Sequence, residues 1–241
     1  MDSLFILISR ISVAIMILVV LTGLWKRKYF TKAIWIFLIY RIIALFFNFI
    51  EQAFIWCSIN YLDLILPFLE RFQIGSTSFL SIFFQWNNLF FLSWFYALLM
   101  PDRYGKWIKI IAGILLVTMT VNYLFIEGYH DYGVFNPNAN AIFTFSLGFF
   151  YLWHLYRSEL SLPLAKNTYF WFSIALAIPY LTSFILFLIG DVSHEENYPL
   201  FVTMSLMKNG LFMVGQIFMI IGFLQSKYAK YILLPGKNSE T

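Results

Sequence analysis

Seven runs of predominantly apolar residues, separated by short connections that carry the charge, constrain this chain more than any other feature. A helix rising 1.5 Å per residue needs about 20 such residues to cross a hydrocarbon core of about 30 Å. The runs are approximately Ser3 to Leu24, Ala33 to Trp56, Ser78 to Met100, Trp107 to Gly128, Ala141 to Leu155, Tyr169 to Gly190 and Leu200 to Gln225. The fifth is the shortest. Lipid offers no partner to a backbone N–H or C=O, so each run must satisfy its own. The expected fold is therefore all-α: a polytopic seven-transmembrane-helix bundle over residues 1–231, with 232–241 as a short, disordered cytoplasmic tail. Composition agrees, since 61% of the 241 residues are hydrophobic and 12% charged, against about 25% charged in a soluble domain.

Charge in the connections sets the expected orientation. Lys26, Arg27, Lys28 and Lys32 follow the first run, Arg103 and Lys106 the third, Arg157 and Lys166 the fifth, and Lys227, Lys230 and Lys237 the seventh. The alternate connections hold Asp63 and Glu70, then Asp131, then Asp191, Glu195 and Glu196, with Arg71 as their one basic residue. Basic loops stay in the cytoplasm, which puts the amino terminus outside and the carboxyl terminus inside. A multi-pass protein of the plasma (inner) membrane is the expected localisation, with the lipid bilayer as its first partner. The first run lacks a basic leader and a small-residue cleavage site, so it reads as a retained helix. The net charge of +4 is accounted for by this orientation, and no nucleic acid partner is expected. Trp25, Trp56, Tyr104, Trp107 and Tyr129 fall at run ends, as an interfacial belt requires.

Within the longest outer connection, Asn60 to Thr77, the spacing of Leu62, Leu66, Leu69 and Phe72 predicts a short amphipathic piece on the membrane face. Asn136-Pro137-Asn138 reads as a turn before the fifth run. Cys57 is the sole cysteine, which excludes an intramolecular disulfide and a thiolate metal cluster. His130, His154 and His194 are scattered across both sides. No metal, cofactor or enzymatic activity is expected, because neither zinc spacing, a phosphate-binding glycine loop nor an activated nucleophile is present.

Ionisable side chains at membrane depth are costly and mark function by default. Lys208 lies about 12 Å below the outer end of the last run and Asn88 about 15 Å below that of the third, by helical rise. Arg10 is about 10 Å down the first. The second run carries Asn48 and Glu51 toward its outer end, the third Gln85 and Asn88, and the last Lys208-Asn209. These seven residues, Arg10, Asn48, Glu51, Gln85, Asn88, Lys208 and Asn209, form the expected ligand site, formed mainly by the second, third and seventh helices. Two cations against Glu51 favour a small polar or anionic ligand, unless Glu127 also turns inward. A plain ion pair between Glu51 and Arg10 or Lys208 would satisfy the same residues. Deeper, Arg41, Tyr96 and Gln216 share a level, and Pro179-Tyr180 interrupts the sixth run. Arg41, Tyr96, Tyr180 and Gln216 are the expected inner polar cluster or gate.

Three resemblances bear on function. Asp102-Arg103-Tyr104, following the third run, resembles the motif at that place in rhodopsin-like G-protein-coupled receptors; the last run lacks Asn-Pro-x-x-Tyr, and Ala177 stands where that family has tryptophan. Lys208 in the seventh helix is similar to the retinal-linking lysine of microbial rhodopsins, but Met204 replaces an aspartate and the third run offers no counterion. Seven spans with an external amino terminus are similar to SWEET-type carriers, whose three-plus-one-plus-three repeats would align Asn87-Asn88-Leu89-Phe90 with Asn209-Gly210-Leu211-Phe212. None of the three fits well enough to assign a family. The expected function is reception of a small ligand in an outward-facing intramembrane cavity, signalled through a separate membrane or cytoplasmic protein partner. The alternatives are a small-molecule carrier and a structural subunit of a membrane complex.

Overall fold

Between the apolar runs, a few polar side chains and prolines decide where each helix starts. Thr31 Oγ1 accepts from Ile34 N at 3.5 Å and shares a 2.8 Å hydrogen bond with the Tyr169 hydroxyl, so one residue caps one helix and ties it to another. Asn167 Oδ1 accepts from the backbone N–H groups of Tyr169 and Phe170 at 3.0 and 3.2 Å. Pro101 holds Met100 extended (ψ 158°) and ends the preceding helix.

The computed structural model describes residues 2–72, 74, 77–128, 133–158, 162–196 and 198–232. They form α1 Asp2–Lys26, α2 Lys32–Asn60, α3 Leu62–Phe72, α4 Ser81–Asn87, α5 Ser93–Leu99, α6 Asp102–Val121, α7 Phe135–Arg157, α8 Thr168–Glu196 and α9 Tyr198–Leu224. A π-helical turn, Asn88–Leu92, joins α4 to α5, and another, Asn122–Ile126, extends α6. The fold is all-helical, with no strand among the described residues. Lys32–Asn60, Asp102–Ile126, Thr168–Leu186 and Val202–Tyr231 are long and apolar enough to cross a membrane.

One local expectation changes. Asn136-Pro137-Asn138 is the first turn of α7, not a turn before it; proline is tolerated there because early N–H groups have no intrahelical acceptor. Asp102-Arg103-Tyr104, which follows the third run, opens α6, and Asp102 suits the positive end of the helix dipole. Beyond Ile232 the expected tail lies outside the described residues, as do His130 and Asp131.

α9 packs along both α8 and α1, α8 packs along α7, and α5 packs on α6 and α2. α7 closes the arrangement by meeting α4 and α5. One half of the bundle interior is a sealed aromatic core. Phe37 stacks on Phe172 with ring centroids 4.1 Å apart, Phe95 meets Phe37 at 5.0 Å, and Phe223 meets Phe172 at 4.9 Å. All four are fully buried. In lipid, apolar burial alone does not draw helices together, so interlocked rings and close backbone approach must do it. Gly215 supplies the approach: an added Cβ would stand 2.6 Å from Ala175 O and 2.9 Å from Pro179 Cγ. Pro179 has no N–H to offer Ala175 O, and the glycine lets α9 settle against that carbonyl.

Candidate functional site

The opposite half of the interior is polar and hollow. The carboxyl-terminal half of α2, the middle of α8, the length of α4, the end of the α6 helix and the amino-terminal parts of α7 and α9 all surround one cavity of about 670 Å³. Asn48 and Glu51 enter it from α2, Ser81, Gln85 and Asn88 from α4 and the π-turn, Tyr123 and Glu127 from beyond α6, Asn136 and Asn140 from α7, Tyr180 and Ser183 from α8, and Lys208 and Asn209 from α9. Phe84 and Phe212 add apolar faces. The volume suits a small molecule.

Six of the seven residues expected at the ligand site line this one cavity: Asn48, Glu51, Gln85, Asn88, Lys208 and Asn209. Arg10 is exposed on α1 and is not among the lining residues. The reason is packing, since α1 rests against α9 and α2 on the outside of the ring. The surplus of cations in the chamber, argued from Arg10 and Lys208, goes with it.

Glu127 does turn inward, but its carboxylate is already engaged. Its oxygens accept from Val134 N at 3.2 Å, Phe135 N at 2.8 Å and Asn122 Nδ2 at 2.7 Å. It thus caps α7 from the preceding loop, where an anion suits the helix dipole. Gly128, with φ 79°, turns the chain directly after it. Asn136 is also structural in part, donating to Met119 O at 3.0 Å while its Oδ1 accepts from Asn122 at 3.3 Å.

Other lining amides are less occupied. Asn88 Nδ2 donates to the Tyr180 hydroxyl at 2.7 Å, which joins two walls of the chamber. Gln85 Oε1 and Asn140 Oδ1 are buried without a hydrogen-bond partner among the described residues. A buried amide oxygen left bare costs about 1–3 kcal/mol, so both ask for donors from whatever fills the space.

The expected inner cluster does not assemble as one group. Tyr96 donates to Ser173 Oγ at 3.1 Å, and Gln216 Nε2 donates to Ser12 Oγ at 3.3 Å on α1. Tyr180 belongs to the chamber wall, beside Tyr40 and Arg41. Arg41 is buried with its guanidinium carbon 5.5 Å from the Tyr40 ring centroid. Sequence reasoning missed Asn136, Asn140, Ser183 and the part played by Glu127. The four-residue spacing of Asn136, Asn140 and Thr144, all buried, is the signal that would have revealed α7 as a wall.

Fold and chamber together define an all-helical membrane protein built around an internal polar cavity. Its sealed half is aromatic and its hollow half carries Glu51 and Lys208 on different helices. Compared with known protein families, curated proteins and solved structures, the chain matches none.

Proposed function

We propose that this protein is a seven-span receptor of the plasma membrane, amino terminus outside, that binds a small polar or anionic ligand in the outward-facing chamber and passes the signal to a separate protein partner. The observation that carries this reading is the division of the interior: six walls with polar side chains surround the hollow half, while Phe37, Phe95, Phe172 and Phe223 close the other. A ligand held there touches α2, α4, α7, α8 and α9 at once. Binding that favours one helix arrangement over another shifts the equilibrium between them, which is all that signalling needs. Basic residues and aromatic rings cluster at the sealed end, with Lys26 on Trp25, Arg157 on Trp153 and Lys166 on Tyr228. That end suits the cytoplasmic interface and contact with a partner. The protein acts without a cofactor or metal and is not an enzyme.

The test is reconstitution. Protein in lipid nanodiscs is screened against small polar and acidic metabolites by thermal shift, and each hit is then followed as labelled solute in proteoliposomes. Saturable binding without flux, weakened by Lys208→Met more than folding is, supports the receptor. Saturable flux transfers the chamber to an alternating-access carrier, the reading that the three-plus-one-plus-three likeness favours. Binding of no compound, with stable copurification of other subunits, leaves a structural subunit.

A further inference from the structure

Arg41 is the strongest unexplained group in the molecule. It is 6% exposed, and its Nε and Nη2 are buried without a hydrogen-bond partner among the described residues. The Tyr40 ring at 5.5 Å offers partial compensation through its face. Among the described residues the chamber carboxylates are elsewhere: Glu51 is about 15 Å further along α2 by helical rise, and Glu127 is committed to capping α7. A buried guanidinium edge without acceptors is costlier than an unpaired amide.

The identity of the bare atoms narrows what would pair with it. Nε and Nη2 form one edge of the guanidinium, the edge that receives two coplanar oxygens side by side. A carboxylate matches that fork; a spherical halide does not. Between Arg41 and the chamber stands Tyr180, which lines the cavity, neighbours Arg41 and is held by Asn88 at 2.7 Å. A turn of the Tyr180 ring, with loss of its bonds to Asn88 and Tyr40, would join Arg41 to the cavity floor. Above it, the bare oxygens of Gln85 and Asn140 require donors from the rest of the ligand.

We infer that the chamber's ligand is a small carboxylate bearing hydroxyl or amine groups, whose acid end seats side-on against the Nε/Nη2 edge of Arg41 once Tyr180 swings aside, while its donors meet Gln85 and Asn140. This inference rests on the chamber being a binding site and adds which end of the ligand goes where.

The experiment measures melting temperature and binding heat of nanodisc-held protein with acetate, lactate and gluconate. Each is compared with its uncharged amide at fixed ionic strength, with chloride and sulfate as inorganic controls. Lactate or gluconate should bind at least tenfold more tightly than its amide. Arg41→Gln should abolish that preference, and Arg41→Lys, a point charge without the fork, should keep part of it. Arg41→Met should raise the melting temperature of the unliganded protein, since it removes an uncompensated charge, while losing the response to carboxylates. Three results overturn the inference: amides binding as well as acids or no carboxylate binding at all, chloride alone giving the full response, or Arg41→Met lowering the unliganded melting temperature. Should hits follow Lys208→Met and ignore Arg41→Gln, the chamber stands as a site and Arg41 is not its anchor.

Discussion

Replacing Gly215 with alanine adds one methyl group at the tightest point between α8 and α9. The new Cβ would lie 2.6 Å from Ala175 O and 2.9 Å from Pro179 Cγ. Neither neighbour is the free end of a flexible side chain, so the backbones must part. Restoring ordinary contact, which begins at 3.4 Å, requires about 0.8 Å of separation. A gap of 0.5–1 Å forfeits about a quarter to a half of each facing dispersion contact, and overpacking of this kind costs about 1–3 kcal/mol. Against that stands the gain of about 0.5–1 kcal/mol for alanine over glycine inside a helix. A control isolates that gain: at Gly113, on the open side of α6, an added Cβ meets nothing within 4 Å. Gly113→Ala should be neutral or slightly stabilising, and Gly215→Ala should destabilise by about 1–2 kcal/mol net. Thermal unfolding of both variants in one detergent, followed by tryptophan fluorescence and by retention of a monodisperse chromatographic peak, measures the difference. Equal midpoints for the two would refute the reasoning, because they would mean that α8 and α9 do not approach through Gly215.

Three further outcomes follow from specific contacts. Glu127→Ala removes the acceptor for Val134 N and Phe135 N and should cost about 1–2 kcal/mol, as lost amino-terminal caps do; hydrogen exchange should rise first in the first turn of α7. Asn167→Ala uncaps α8, where Oδ1 accepts two backbone N–H groups, and should cost about 1 kcal/mol, with Asn167→Asp recovering most of it in a chemical denaturation series. Glu51→Gln and Lys208→Met, combined in a double-mutant cycle on ligand affinity, should couple by more than about 0.5 kcal/mol if both hold the same ligand; additive effects would mean that they act on different parts of it.

Helices and their rough limits were open to reading because a spanning segment announces itself in one dimension, by length and apolarity alone. Lateral order was not. Whether α1 joins the ring around the chamber or lies outside it depends on contacts between α1, α9 and α2, and no periodicity in residues 3–24 encodes that choice; Arg10 was therefore grouped with residues it does not join. Asn48, Glu51, Gln85, Asn88, Lys208 and Asn209 could be grouped because helical rise gives depth directly, and polar residues at one depth in lipid must turn toward each other. Asn136 and Asn140 escaped because Pro137 suggests a turn, and the same proline is equally at home in a first helical turn. Glu127 shows the limit of counting charges, since its carboxylate faces inward yet serves the backbone of α7.

The two halves of the interior are mechanically linked through α8. Its aromatic half, at Phe172, locks against Phe37 and Phe223, and its polar half presents Tyr180 and Ser183 to the chamber. Pro179 lies between them, at the point where α9 touches α8 through Gly215, and Ser183 Oγ donates back to Pro179 O at 3.0 Å. A helix with one missing backbone bond bends there more readily than elsewhere. Any ligand that moves Tyr180 therefore works against a rigid aromatic anchor on one side of the proline and an open cavity on the other. On the proposed reading, motion would concentrate in the part of α8 beyond Pro179, and the α8–α9 seam is the contact through which it would reach the other half. By the same reading, displacement of α8 would reach α9 at Gly215, where an added Cβ would meet Ala175 O, and at Gly222, where it would meet the Phe172 ring.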